Sequence, residues 1–171
     1  MPNRVYNNVE GHRLFEGKDI VEDITSVTLP DIEHPTTTIS AAGMAADVDM
    51  PNTTHVNAMS FSVSHNNGLN GQLLATPGKH EIEFRIVRQR YNVKLGEIEH
   101  ESVKFRLVGA LKKVGKGNIE TGNPYGSTND FSLLRYEEEI DGRVVTLIDA
   151  MAGIIKVNDK SFTDQIESLL K

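Results

Sequence analysis

The chain has 171 residues, 38% of them hydrophobic and 25% charged, with a net charge of −6 and no cysteine. This balance argues against a disordered or membrane-embedded chain, and the lack of thiols excludes disulfides, thiol catalysis and cysteine-ligated zinc. An acidic chain is a poor general binder of nucleic acid, because Lys and Arg contacts to phosphate supply most of that affinity. The charge is nevertheless uneven. Residues 81–113 carry eight basic and five acidic groups, whereas the stretches on either side are net acidic. The length suits one domain over residues 1–171, and the opening "MPNRVYNNVEGHRLFEG" has no apolar signal-peptide core.

Strand signals then follow one another along the chain. "ITSVTL" (24–29) alternates and is cut by Pro30, which cannot donate to a ladder and so belongs at an edge or turn. A Thr-rich stretch and the small-residue patch Ala41, Ala42, Gly43 and Met44 lead to Asp47, Asp49 and Met50. Residues 40–56 read as one long loop, of the length usually given to function or mobility. "NAMSFSVS" (57–64) sets Met59, Phe61 and Val63 against Ser60, Ser62 and Ser64. "LNGQLLATPG" (69–78) can hold a short helix, stopped by Pro77-Gly78.

"HEIEFRIV" (80–87) turns Ile82, Phe84 and Ile86 inward and Glu81, Glu83 and Arg85 outward. Residues 91–101 read as a loop. "SVKFRLVGALKKV" (102–114) alternates Val103, Phe105, Leu107 and Leu111 against Lys104 and Arg106. Residues 115–129 read as a flexible excursion. "FSLLRYEEEIDGRVVTLID" (131–149) flanks Asp141-Gly142, the signal of a two-residue hairpin turn. "GIIKVND" (153–159) returns to apolar sheet. "SFTDQIESLLK" (161–171) predicts a C-terminal helix capped by Ser161, with Phe162, Ile166, Leu169 and Leu170 on one stripe. A helix this short must dock on something. The pattern is mainly β: a small antiparallel barrel or sandwich with one or two short helices and extended strands and loops.

Catalytic and metal-binding patterns are weak. The histidines, His12, His34, His55, His65, His80 and His100, lack the close spacing of a metal site. Asp47-Val48-Asp49 lacks the glycine and the final glutamate of a calcium loop. Glu137, Glu138 and Glu139 are adjacent on a strand and so point to opposite faces, which disfavours paired acid–base work. No cofactor, metal or enzymatic activity is expected. Two polar features remain: a basic set that includes Arg85, Lys104 and Arg106, faced by Glu81 and Glu83, and the acidic arm 137–141. Either each is solvated and self-neutralised, or they complement one another between subunits.

The order "SVTLPDI", "AAGM", "SHNNG", "VKFRLVGALKKV" and "YEEEIDGRVVTLIDAMAGIIKVND" resembles the major tail tube proteins of contractile bacteriophage tails, a family shared with R-type bacteriocins (tailocins). The matching residues are Ser26, Thr28, Leu29, Pro30, Gly43, Met44, Tyr136, Glu138, Asp141, Gly142, Arg143, Ile148, Asp149, Gly153, Val157, Asn158 and Asp159. The resemblance implies hexameric rings that stack into a hollow tube, the needle driven through a cell envelope. Its implied partners are itself, the tail sheath, baseplate and tail-terminator proteins, with DNA passing only in a phage. No membrane insertion of the monomer is implied. Assembly in the host cytoplasm and a place in the virion tail or tailocin particle follow.

In that frame the loop residues Ala41, Ala42, Gly43, Met44, Asp47, Asp49 and Met50 become the expected inter-ring contact. Ser60, Ser62, Glu81, Glu83, Arg85, Lys104, Arg106, Glu137, Glu138 and Glu139 become the expected lumen or inter-subunit positions. Pro30, Asp141 and Gly142 become structural turns. A modestly negative lumen is expected to keep DNA from sticking. The alternatives are a type VI secretion tube protein of the same fold, or a monomeric β-barrel ligand-binding module. An aromatic content of 6% with no Trp disfavours sugar stacking in the latter.

Overall fold

Alternation with a period of two puts one face of each strand in a core, and the chain has little else to build with. A computed structural model describes residues 4–68 and 70–171. The first strand is β1 (Arg4–Glu16), followed by β2 (Asp19–Val21) and β3 (Ile24–Thr28). A hairpin of β4 (Thr36–Ile39) and β5 (Val48–Pro51) comes next, then β6 (Ser60–His65) and a 3-10 turn over Asn70–Ala75. Two long strands, β7 (Lys79–Asn92) and β8 (Glu97–Gly115), precede β9 (Ser127–Ile140), β10 (Arg143–Asp149), β11 (Ile154–Val157) and β12 (Lys160–Ser161). Helix α1 (Asp164–Leu169) ends the chain.

Ten of the strands form one antiparallel sheet in the order β12-β11-β10-β9-β8-β7-β1-β2. The far edge of β9 is shared: residues 127–132 pair β6, and residues 135–140 pair β10. β3 pairs β6 in turn. Only Glu22 and Asp23 connect β2, on one edge, to β3, on another, so the sheet curls back on itself. Asp23 turns the corner with φ 61°, and the His12 ring meets the Ile24 carbonyl across the seam at 3.4 Å. No ladder spans that seam among the described residues, so the sheet is curled but not closed into a barrel.

The inward faces make one core. Leu14, Phe61, Val63, Ile82, Val103, Leu107, Phe131 and Ile148 are buried within it. Phe61 and Phe131 stack with centroids 4.8 Å apart, and Gly109 makes room for them. A Cβ at Gly109 would lie 2.8 Å from the Phe61 ring and 2.9 Å from the Ser132 carbonyl.

Several expectations change. Residues 4–16 form a long strand that the sequence pattern did not signal, because shifts between Tyr6 and Asn8 and between Val9 and Gly11 break its alternation. Residues 91–101 are not a loop: β7 and β8 run almost to the turn at 93–96. Most of residues 40–56 belongs to a hairpin, with β4 and β5 in a small sheet of their own. The helix is shorter than residues 161–171. Its N-cap is Thr163 rather than Ser161, whose hydroxyl instead accepts the Asp164 N–H at 3.2 Å. The expected 69–78 helix is the 3-10 turn, and Leu69 lies outside the described residues. Asp141 and Gly142, at φ 47° and 83°, close the β9–β10 hairpin between paired Ile140 and Arg143.

Candidate assembly surfaces

Residues directly opposite in an antiparallel ladder share a face, so the register sorts the charges. On the outer face of β7, β8 and β9, Glu83 lies beside Arg106 and Glu137, while Arg85 lies beside Lys104 and Glu139. Arg106 donates to Glu83, Glu137 and Glu139, and Lys104 donates to Glu139 at 3.0 Å. Hydrogen bonding to Glu137 raises the Arg106 pKa, and the Lys104 ammonium holds the Glu139 carboxyl below the usual range. Arg135 also pairs with Glu137. The acidic arm therefore neutralises the basic strand within one chain. A shallow cavity of about 300 Å³ opens here, lined by Glu81, Glu83, Arg106, Arg135 and Glu137.

β1 adds Arg13 and Phe15 to this face, and the Arg85 guanidinium sits 4.5 Å over the Phe15 ring. The face is mixed in sign. Glu138 stands apart from it, on the Phe105 side of β9, where it accepts a hydrogen bond from Tyr136. Burial, and then Glu138, drive the Tyr136 pKa up. Ser60 and Ser62 lie beyond the other half of β9, opposite Ser132 and Asp130. They border a hollow with Lys112 and Lys113.

Past Val87 and Ser102 the inner face of β7 and β8 changes from apolar to charged. The inner face, apolar at Ile82, Phe84 and Ile86, continues as Arg88, Arg90 and Asn92 opposite Glu101, Glu99 and Glu97. Glu101 is buried, held by Arg88 and Arg90 at 2.5 Å each. The Asn92 amide, with Arg90, lowers the Glu99 pKa. Arg88 covers the Tyr6 ring at 4.4 Å. The outer face carries one apolar cross-strand row, Val5, Tyr91 and Ile98, separated from Val87 by the polar row Asn8, Gln89 and His100. The four apolar residues are exposed, Ile98 at 60%. This three-stranded extension, residues 4–11 and 87–102, is called the arm.

The second surface is the β4–β5 hairpin, which carries all of the expected contact residues Ala41, Ala42, Gly43, Met44, Asp47, Asp49 and Met50 on its tip or its second strand. Its rows alternate, so Thr37, Ile39, Val48 and Met50 share one face, and Thr36, Thr38, Asp49 and Pro51 the other. Thr38 donates to Asp49 at 2.6 Å on the polar face. Both strands are exposed throughout. The base is clasped by the His34 ring, whose Nδ1 meets the Asn52 and His55 carbonyls at 3.1 and 2.7 Å. A third apolar patch, Met151, Ile166, Leu169 and Leu170, leaves the C-terminal helix largely uncovered.

Among the described residues no cluster of three His, Asp or Glu is placed to hold a metal. No helix among the described residues is long and apolar enough to cross a membrane. The surfaces that stand out on this curled β subunit are the charged sheet face, the arm and the exposed hairpin. The chain belongs to the phage tail tube protein FII family, whose sequence pattern matches residues 8–170. No curated protein matches it significantly. It is thus a structural tail tube protein, with its place in the virion tail.

Proposed function

We propose that six copies form a ring and that rings stack into the hollow inner tube of a contractile tail, phage or tailocin. That tube serves as the rigid conduit that penetrates the target envelope, wrapped by a sheath, begun on a baseplate and ended by a terminator protein. The observation that carries this reading is the arm, where long strands leave the core with an exposed apolar face. Exposed strands with apolar surface are a liability in a monomer, and burial between copies removes it. The outer face of β7–β9 is the proposed lumen lining. Its interleaved Arg and Glu side chains are already paired, so they offer passing phosphates few free cations.

Electron microscopy of the purified protein tests the reading. Annular particles with sixfold symmetry, and hollow tubes of uniform width at higher concentration, are expected. A protein that sediments as a monomer at every concentration, with and without a baseplate, overturns it.

A further inference from the structure

We infer that His34 supplies from its side chain a ladder bond that Pro35 cannot make, and that this bond sets the direction in which the β4–β5 hairpin leaves the subunit. β4 and β5 pair only with each other, and every residue of both is exposed. A lone two-stranded hairpin is marginal in water, so its feet decide how it is held. Thr36 and Pro51 are the last pair of its ladder, which places Pro35 opposite Asn52 one step below. The Asn52 N–H donates to the Pro35 carbonyl at 2.8 Å. The reciprocal bond, from residue 35 to the Asn52 carbonyl, has no backbone donor, because proline lacks the N–H.

The His34 ring fills that gap. Its Nδ1 lies 3.1 Å from the Asn52 carbonyl and 2.7 Å from the His55 carbonyl. Both partners are acceptors, so Nδ1 carries the proton and donates to both. Pro35 also holds His34 extended, which limits where the ring can point. Among the described residues no other side chain joins the incoming foot, 33–35, to the returning foot, 52–57, by a hydrogen bond. The feet are otherwise joined by two backbone bonds, the one at Pro35 and one from the Asn57 N–H to the Glu33 carbonyl at 2.8 Å. The ring adds a third tie and holds the returning turn at two points, Asn52 and His55. It also lines a cavity of about 250 Å³ with Thr53, Ile155, Val157 and Phe162, which sets the feet beside the β11 edge of the main sheet. The consequence for assembly rests on the tube reading. A hairpin that is already aimed loses less freedom when a copy joins the tube, so assembly begins at a lower concentration.

The chain has no native cysteine, so nitroxide labels at Ala42→Cys on the hairpin tip and Ser132→Cys in β9 report the hairpin's direction as a distance distribution. The measurement uses the dilute, unassembled chain. His34→Phe keeps a ring but removes the donor, and His34→Ala is a second donorless variant in case the larger ring disturbs the fold. For either, a distribution about twice as wide as with His34 is expected, at an unchanged urea midpoint. Adding Pro35→Ala to His34→Phe returns a backbone N–H at residue 35 and should narrow the distribution again. Without labels, the concentration at which tubes appear should rise about tenfold in His34→Phe and fall back in the double variant. Unchanged widths in both donorless variants overturn the clasp. A urea midpoint that falls in both also overturns it, because His34 then holds the core rather than the hairpin. Widening that Pro35→Ala does not reverse overturns the donor role in favour of packing by the ring. Widened hairpins that assemble at the unmutated chain's concentration overturn the link to assembly. If no form of the chain makes tubes, the tube reading fails, and the widths still decide the clasp.

Discussion

The two halves of the β7–β8 ladder are one continuous pair of strands whose inner face changes from apolar to charged. Near the core, Ile82, Leu107, Phe84 and Phe105 face inward and Glu83, Arg85, Lys104 and Arg106 face out. In the arm, Arg88, Arg90, Glu99 and Glu101 hold the inner side and Tyr91 and Ile98 the outer. An ordinary two-sided sheet keeps its apolar face on one side along its length. In the proposed tube the ladder serves two partners in sequence: its own core first, then a neighbouring copy. The arm's ion pairs replace the core as the support of its inner side, so that half is held by directional bonds rather than by packing.

Breaking the core half has the largest effect. Leu107→Ala removes a fully buried side chain directly across the ladder from Tyr136. A loss of about 2–5 kcal/mol is expected from the transfer and cavity costs. Urea unfolding measures it, and a loss below about 1 kcal/mol would show that the core relaxes around the site.

Breaking the arm comes next. Glu101→Ala strands Arg88 and leaves Arg90 with Glu99 alone in place of its buried partner. The expected global cost is about 1.5–3 kcal/mol, that of lost charge-assisted bonds. Hydrogen exchange should localise the change to residues 88–101 and leave residues 80–86 protected. Uniform deprotection along both strands would show that the halves are not separately supported.

The core half was legible in sequence because its alternation is regular. "SFSVS", "EIEFRI" and "SVKFRL" place the buried residues and the outward charges on the faces the structure gives them. The arm was not. Its inner face is charged, so the period-two signal survives but changes sign at Val87, and "NVKLGEIEH" then reads as a polar loop. β1 escaped for a related reason, since two shifts of register scramble its pattern. The hairpin escaped because four-residue strands rich in Thr, with a small-residue tip, carry too few apolar positions to count. The pairing of the acidic arm with the basic stripe was visible as a possibility, but only register could place Glu137 and Glu139 beside Arg106 and Lys104.

Acid separates the halves further, with a smaller effect than either substitution. His65 is buried at the end of β6, opposite Ser127 and beside the Glu22–Asp23 corner. Desolvation lowers its pKa from 6.5, although the Glu22 carbonyl and the Asp23 carboxylate pull the other way. The unfolded chain therefore takes up the proton first as pH falls through about 6.5. His65's contribution to stability is complete above that pH and declines below it. The arm behaves oppositely in range, because the Asn92 and Arg90 hydrogen bonds lower the Glu99 pKa, so that carboxylate stays charged and paired throughout the range in which His65 titrates. Between pH 7.5 and 5.5 the urea midpoint should fall while hydrogen exchange across residues 88–101, scaled to the global stability, stays constant. His65→Gln should flatten the fall. A midpoint that does not move, or one that falls as steeply in the variant, would mean that the corner accommodates a charged His65.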